Sequence, residues 1–299
     1  MQIGVVYPQI EMGPDVGEIK AFAQGAESMG YTHILAYDHV LGANTASRPD
    51  WNGPYELRTP FQEPFVLFSY LAGITEKIGF ATGVLILPQR QAALVAKQAA
   101  CLDIVSRGRF RLGIGTGWND VEYEALGMNF HDRGKRYEEQ IEVLRALCAN
   151  PAVTLKNGSH SITDAGINPL PLTQPFPIWM GGGSAGGAQR KPVPDRVLRR
   201  IARMADGWIP RWEPDAAGLA CLEKFRGYCR EAGRNPDTFP IEGRTNAHRA
   251  NESRWRDSVE SWRKLGASHF SVVTMRDDLK GADQHLRRLE EFRKAIGVK

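Results

Sequence analysis

The chain has 299 residues, of which 42% are apolar and 24% are charged, a composition typical of a globular protein with a substantial core. A net charge of +4, with both signs interspersed, is too small for a nucleic-acid-binding surface. The chain opens on a predicted strand rather than a signal peptide, and no apolar run reaches the roughly 18 residues of a membrane span. We therefore expect a cytoplasmic protein with neither nucleic acid nor a membrane as partner.

Strand-like and amphipathic helix-like segments alternate along the whole chain. The predicted strands are 2–7, 32–37, 78–85, 109–115, 177–181, 206–210, 239–245 and 268–274. The predicted helices are 16–29, 64–75, 91–106, 133–149, 193–204, 215–232, 253–265 and 282–296. Eight strands that each lead to a helix are typical of a parallel barrel, and the composition shows no break. We predict one α/β domain over residues 1–299, a (β/α)8 TIM barrel.

Two insertions interrupt this alternation, after strands 2 and 4. Residues 41–63 are rich in Gly, Pro, Asn and Trp and follow a strand on the side where barrels build their active sites. They are a candidate lid or substrate wall. Residues 153–177 contain Lys-Asn-Gly-Ser between alternating runs, which predicts a hairpin with a structural role.

Asp38 and His39 follow the second strand, at the predicted mouth of the barrel. A histidine can exchange protons near neutral pH, and a neighbouring carboxylate can orient it, although a lone histidine is more often structural. Glu122 begins a helix, where a carboxylate favours the N-terminus, but it could also face the mouth. Arg90 is a weaker candidate for anion binding. The other histidines form no ligand cluster, which disfavours a metal site and a metal-dependent hydrolase.

Two glycine-rich turns follow predicted strands. The run Gly181–Ser184 precedes a helix and could bind phosphate, or it could be a merely flexible loop. The pattern Gly113-x-Gly115-x-Gly117 fails as a dinucleotide fingerprint because its third glycine comes one place early. It indicates either close approach to a planar ligand or strand-to-helix packing alone.

Several short motifs, taken together and in this order, resemble the bacterial luciferase-like superfamily. More narrowly, the chain resembles oxidoreductases that use the deazaflavin coenzyme F420. The motifs are Asp38-His39-Val40, Ala81-Thr82-Gly83-Val84-Leu85, Pro88-Gln89-Arg90, Leu102-Asp103, Gly115-x-Gly117-Trp118, Gly181-Gly182-Gly183 and Ala205-Asp206-Gly207-Trp208. They cover nearly the whole chain and are densest from 78 to 127.

The resemblance implies a cofactor ring across the barrel mouth: coenzyme F420 (8-hydroxy-5-deazaflavin), or FMN as the alternative. It implies a cis peptide between Gly83 and Val84 that backs the ring. The cofactor-binding residues it implies are Thr82, Gly83, Val84, Gly115, Gly117, Asn119, Gly181, Gly182, Gly183 and Ser184. Of these, the run 181–184 would hold the phosphate.

The function implied is hydride transfer between F420 and a small organic substrate, with His39 as acid or base. Trp118 stands where related sugar-phosphate dehydrogenases have a glutamate, so the same substrate is not expected. Five aromatic residues suggest an apolar or aromatic-lined mouth: the substrate-site candidates are Trp51, Tyr55 and Trp118, with Phe61 and Trp212 as further aromatics. The same side chains could equally belong to the core or to a subunit interface.

Two alternatives remain open. One is an FMN-dependent monooxygenase that activates oxygen with reduced flavin from a separate reductase. The other is a non-catalytic flavin-binding barrel that stores or senses cofactor. The resemblance also implies a homodimer.

Overall fold

The computed structural model describes residues 1–183 and 192–297. The chain divides into two compact units, a first unit of Met1–Leu35 with Ile178–Lys299 and a second unit of Ala36–Pro177. The single domain expected from the sequence stays a prediction. Within the described ranges, no helix has the length and apolar character needed to cross a membrane.

The strands agree closely with those expected from the sequence. They are β1 Gln2–Val6, β2 His33–Ala36, β3 Gly79–Thr82, β4 Leu85–Ile86, β5 Phe110–Gly115, β6 Val153–Asn157, β7 His160–Ala165, β8 Ile178–Gly182, β9 Gly207–Pro210, β10 Glu242–Asn246 and β11 His269–Val273. All eight predicted strands are present. The third is interrupted, so that β3 and β4 divide it.

The predicted helices are also present. The helices are α1 Gln9–Met12, α2 Val16–Ser28, α3 Pro64–Ile74, α4 Ala92–Val105, α5 Asp120–Ala125, α6 Arg133–Ala149, α7 Asp195–Met204, α8 Ala216–Glu231, α9 Trp255–Lys264 and α10 Gly281–Ile296. The short helix α1 was not predicted, because four residues are too few to show a helical period.

In the first unit, neighbouring strands are parallel. Strand β11 pairs with β10 on one side and β1 on the other, so that His269 lies opposite both Glu242 and Gln2. Strand β1 pairs in turn with β2. Strand β8 pairs with β9, and Trp208 of β9 bridges to Ile241 just before β10. Parallel strands joined by helices are the arrangement that the alternating sequence predicts.

In the second unit, β5 is parallel to both β3 and β4. Strands β6 and β7 form an antiparallel hairpin, as the sequence predicts, and Asn157 lies opposite His160 in it. The Thr82 hydroxyl joins β3 to β5, since it donates to the Gly113 carbonyl at 2.6 Å and accepts the Gly113 N–H at 2.9 Å. This bond fixes the position at which β3 ends and the next turn begins.

One arginine fastens the C-terminal end of α3 in the second unit. Arg109 donates to the carbonyls of Ala72, Thr75 and Ile78 at 3.1, 3.1 and 2.6 Å. It also donates to the Ser106 carbonyl at 2.7 Å. The last carbonyls of a helix have no partner within it, so Arg109 satisfies groups that the helix alone leaves open.

Candidate active site

His39 lies just beyond β2 and contacts a buried carboxylate. Its Nδ1 lies 2.9 Å from Oε1 of Glu122, and the Val40 N–H donates to the same oxygen at 2.9 Å. The side chain of Glu122, on α5, is 1% exposed and that of His39 is 10% exposed. Of the described residues, none forms a hydrogen bond to Nε2 of His39. The imidazole is thus held through one nitrogen while the other is free to exchange a proton.

Aromatic side chains surround this imidazole. The ring centroids of Tyr55 and Phe61 both lie 4.8 Å from that of His39, and the centroid of Trp118 lies 5.5 Å away. Trp51 packs on Trp118 at 5.7 Å. All four aromatics are half-buried. The 41–63 insertion therefore forms an aromatic wall beside His39, with Trp118 contributed from beyond β5.

The insertion is fixed at both of its ends. At its start, the Asn119 amide donates to the Leu41 carbonyl at 3.3 Å. At its end, the Glu63 carboxylate caps α3 by accepting the Val66 N–H at 2.9 Å. Between these points the Trp51 indole donates to the Tyr55 carbonyl at 3.1 Å. These bonds hold the aromatic wall in one arrangement.

Asp38 does not orient His39, contrary to the sequence-based hypothesis. Its Oδ1 accepts from Nη2 of Arg90 at 2.7 Å and its Oδ2 accepts from the Ile86 N–H at 2.8 Å. Arg90 also donates to Glu63 at 3.0 Å. Burial alone would lower the pKa of the Arg90 guanidinium, but the charges and hydrogen bonds of Asp38 and Glu63 outweigh it and raise that pKa. Arg90 is therefore a structural cation rather than an open anion site.

The turn after β3 has the predicted geometry, since the Gly83–Val84 peptide is cis. The Gly83 N–H donates to the Ala36 carbonyl at 2.8 Å, which brings the turn to the end of β2. Glycine is required at Gly115 because a Cβ there would lie 2.4 Å from the Val84 side chain. A Cβ on Gly117, whose φ is +65°, would lie 2.7 Å from Ile86. Both glycines are thus needed for close packing against the segment from Val84 to Ile86, and the approach of a planar ligand to them stays a prediction.

Thr82 and Asn119, the two polar cofactor-binding candidates of this unit, differ in whether their side chains have a hydrogen-bonding atom left for a ligand. Both polar functions of the Thr82 hydroxyl are used between β3 and β5, so its side chain is already satisfied. Asn119 is 3% exposed, and its Oδ1 has no hydrogen-bond partner among the described residues. A buried acceptor without a partner costs free energy unless a ligand or water satisfies it.

In the first unit, Gly181 and Gly182 end β8 and Gly183 follows it, and all three are half-buried. A Cβ on Gly182 would lie 2.5 Å from Ile201 of α7, and a Cβ on Gly183 would lie 2.7 Å from the backbone of Arg211. These glycines permit close packing of the strand end against its neighbours. Ser184, the fourth candidate of this run, lies outside the described residues.

Trp212 does not belong to the aromatic wall. It is 8% exposed and stacks on Trp262 at 4.9 Å, with Trp208 at 5.6 Å. This cluster is core of the first unit, which is one of the interpretations that the sequence leaves open for Trp212.

A family model described as luciferase-like monooxygenase matches residues 1–296. The chain belongs to the luciferase-like family. A protein of Mycobacterium tuberculosis is 36% identical over 228 residues, which cover 74% of this chain and 73% of that protein. A pyrimidine monooxygenase, RutA, of Stutzerimonas stutzeri is 33% identical over 295 residues, covering 93% of this chain and 74% of RutA.

Solved structures show the same fold. The monooxygenase RslO1 from Streptomyces bottropensis aligns with a TM-score of 0.74 at 17% identity, and an F420-dependent secondary alcohol dehydrogenase with 0.75 at 16% identity. Each alignment covers 99% of this chain and 98% of the other. The predicted fold class, an α/β barrel of the TIM type, is confirmed. The chain is an enzyme of the luciferase-like class, which comprises flavin- or F420-dependent oxidoreductases and monooxygenases.

Sequence reasoning missed the main contact of this luciferase-like site, the pairing of Glu122 with His39. The two residues are 83 positions apart, and the acidic start of α5 has a sufficient local explanation in the helix N-terminus. A usable signal was present, since Glu122 begins the first helix after β5 and so lies near a strand end, as His39 does.

Proposed function

We propose that this enzyme is an F420-dependent oxidoreductase that moves a hydride between the deazaflavin and a small uncharged organic substrate. The observation that carries the proposal is His39, held by Glu122 through Nδ1 and surrounded by aromatic rings, with Nε2 unbonded by any described residue. An alcohol that loses a hydride must also lose its hydroxyl proton, and a carbonyl that gains one must gain a proton. His39 is the group placed to take or give that proton.

The cofactor, when bound, supplies the hydride-accepting or hydride-donating carbon, and the chain supplies binding groups. In the second unit, the unpartnered Oδ1 of Asn119 is an acceptor that a ring N–H or a hydroxyl of the cofactor would satisfy. We assign backbone contacts to Thr82, Gly83 and Val84, and an indirect role to Gly115 and Gly117, which make room for Val84 and Ile86. In the first unit, we assign the phosphate to Gly181, Gly182 and Gly183, and by the resemblance also to Ser184.

The surroundings of His39 favour an uncharged substrate. Its contacts are aromatic rings and the Glu122 carboxylate, and the nearby charge of Arg90 is already compensated by Asp38 and Glu63. An anionic substrate would be repelled by Glu122 with no compensating cation in these contacts. We therefore propose that Trp51, Tyr55 and Trp118 contact an apolar or flat part of the substrate.

The cofactor is tested by titrating the purified protein with oxidised F420 and, separately, with FMN, and following the absorbance of each. We expect F420 to bind and FMN to bind at least tenfold more weakly. Tight binding of FMN with no binding of F420 overturns the proposal. With F420 bound, His39→Ala should lower turnover by roughly 10²–10⁴-fold while cofactor affinity changes little, because general acid–base catalysis supplies a factor of that size.

A second candidate is an FMN-dependent monooxygenase, with reduced flavin delivered by a separate reductase. It is favoured by the similarity to RutA, a pyrimidine monooxygenase, over 93% of the chain. Oxygen uptake that requires both reduced FMN and an organic substrate would support it. Substrate turnover with F420 under strict exclusion of oxygen would count against it.

A further inference from the structure

One oxygen of the Glu122 carboxylate contacts two hydrogen-bonding groups. Its Oε1 accepts the Val40 N–H and lies against Nδ1 of His39, each at 2.9 Å. An ionised carboxylate only accepts hydrogen bonds, and a neutral imidazole has one N–H to give. The contact is therefore satisfied when the proton of the neutral ring is on Nδ1. The lone pair is then on Nε2.

The ring cannot turn over without losing this bond. A half-turn about the bond that joins the ring to the rest of the side chain would replace Nδ1 by a carbon opposite Glu122. The rings of Tyr55 and Phe61, both 4.8 Å away at steep angles, and that of Trp118 at 5.5 Å also restrict such rotation. Packing and hydrogen bonding thus select the same orientation.

We propose that Glu122 is the positioning residue of this site: it fixes His39 as the Nδ1–H tautomer, so that Nε2 is the atom that exchanges the substrate proton. When the substrate hydroxyl releases its proton, that proton goes to Nε2, the proton on Nδ1 stays in place, and the imidazolium is stabilised by the adjacent carboxylate. The reverse reaction returns the proton from Nε2 to the substrate oxygen. The role in turnover rests on the proposed function, whereas the tautomer does not.

The tautomer is measured directly by ¹⁵N NMR of the full chain labelled in its 7 histidines. His39→Ala identifies the His39 signals by their loss. At a pH where the ring is neutral, we expect a protonated Nδ1 and an unprotonated Nε2. The opposite pattern in the wild-type protein overturns the proposal, whatever cofactor the enzyme uses.

Two substitutions separate positioning from charge. Glu122→Gln keeps an oxygen that accepts from both donors, so the tautomer should persist while the charge that stabilises the imidazolium is lost. Glu122→Met removes the acceptor, and we expect a mixture of tautomers. Glu124→Met, two residues further along α5 and exposed, is the matched control and should leave the His39 signals unchanged.

Turnover is then compared under the cofactor identified by titration. We expect Glu122→Met to lower kcat by about 10²-fold with KM changed less than threefold, because a wrong tautomer removes proton exchange but not binding. Wild-type kcat in Glu122→Met, with the tautomer mixture observed, overturns the positioning role. Absence of turnover with every cofactor, with the expected tautomer still observed in the wild type, instead counts against the proposed function.

Discussion

Asp38 Oδ1 lies 2.7 Å from Nη2 of Arg90, although Asp38 is the immediate neighbour of His39 in sequence. The Asp38 side chain is fully buried and that of Arg90 is 15% exposed. The carboxylate next to the proposed acid or base therefore belongs to the framework, and the carboxylate that contacts His39 comes from α5. The side chains of chain neighbours at a strand end point in different directions. For this reason, the position of Asp38 next to His39 in sequence led to the wrong carboxylate partner for His39.

Removing Arg90 should destabilise the protein strongly. Arg90→Met leaves the buried Asp38 charge without its partner, and we expect the free energy of unfolding to fall by about 3–5 kcal/mol at neutral pH. Urea denaturation measures it. Arg287→Met is the control, because Arg287 pairs with Asp283 at side-chain exposures of 64% and 88% and should cost less than about 1 kcal/mol. Equal losses in the two variants would show that the Asp38–Arg90 pair contributes no more than a surface pair.

Arg109 should be needed for the end of α3. Arg109→Met removes donors from the carbonyls of Ala72, Thr75, Ile78 and Ser106, and we expect a loss of about 2–4 kcal/mol in unfolding free energy. Hydrogen exchange of α3 and α4 amides should accelerate as well. An unchanged denaturation midpoint would mean that water replaces the guanidinium at no cost. The exposed Arg58→Met is a suitable comparison.

Replacement of two glycines of the second unit by alanine should change stability in opposite directions. Gly115→Ala places a methyl group 2.4 Å from Val84 in a buried strand end, and overpacking of this kind costs about 1–3 kcal/mol. Gly73→Ala, in α3, meets no atom within 4 Å and should stabilise by about 0.5–1 kcal/mol through helix propensity. Thermal unfolding of both variants gives the comparison. A gain in stability from Gly115→Ala would contradict the packing described for this turn.

His160 should make stability depend on pH. Burial lowers the pKa of its ring; the Glu139 charge opposes this and the Arg136 charge adds to it. The folded state therefore binds fewer protons than the unfolded state in a window below the ordinary histidine value of about 6.5. Stability is fully present above that value and is lost as pH falls through the folded pKa.

The measurement is the difference in thermal midpoint between wild type and His160→Gln from pH 5 to pH 8. The wild-type midpoint should fall more steeply below pH 6.5 than that of the variant. His131→Gln, at an exposed position, should keep the wild-type slope. A wild-type slope in His160→Gln would contradict the assigned cause.

The secondary structure was predictable because its signals are local. The spacing of apolar residues that marks α2 as a helix and β5 as a strand is complete within each segment. Of the predicted elements, only β10, which begins at Glu242, starts as much as three residues away from its predicted start. Contacts between distant residues carry no such signal. Glu122 and His39 are 83 positions apart, and Arg90 and Asp38 are 52 apart. Trp118 and Trp212 both follow strands, yet one faces His39 and the other faces core, and sequence alone does not distinguish them.

The fastening of the 41–63 insertion at its two ends has a consequence for how this enzyme can be altered. At its start, the Asn119 amide donates a hydrogen bond to the Leu41 carbonyl. At its end, the Glu63 carboxylate caps α3 and accepts a hydrogen bond from Arg90. We expect that the residues between these points can be exchanged for a segment of different length or composition while the bonds at the two ends are kept. Under the proposed function, a segment grafted between Leu41 and Glu63 should therefore change the substrate range of the enzyme.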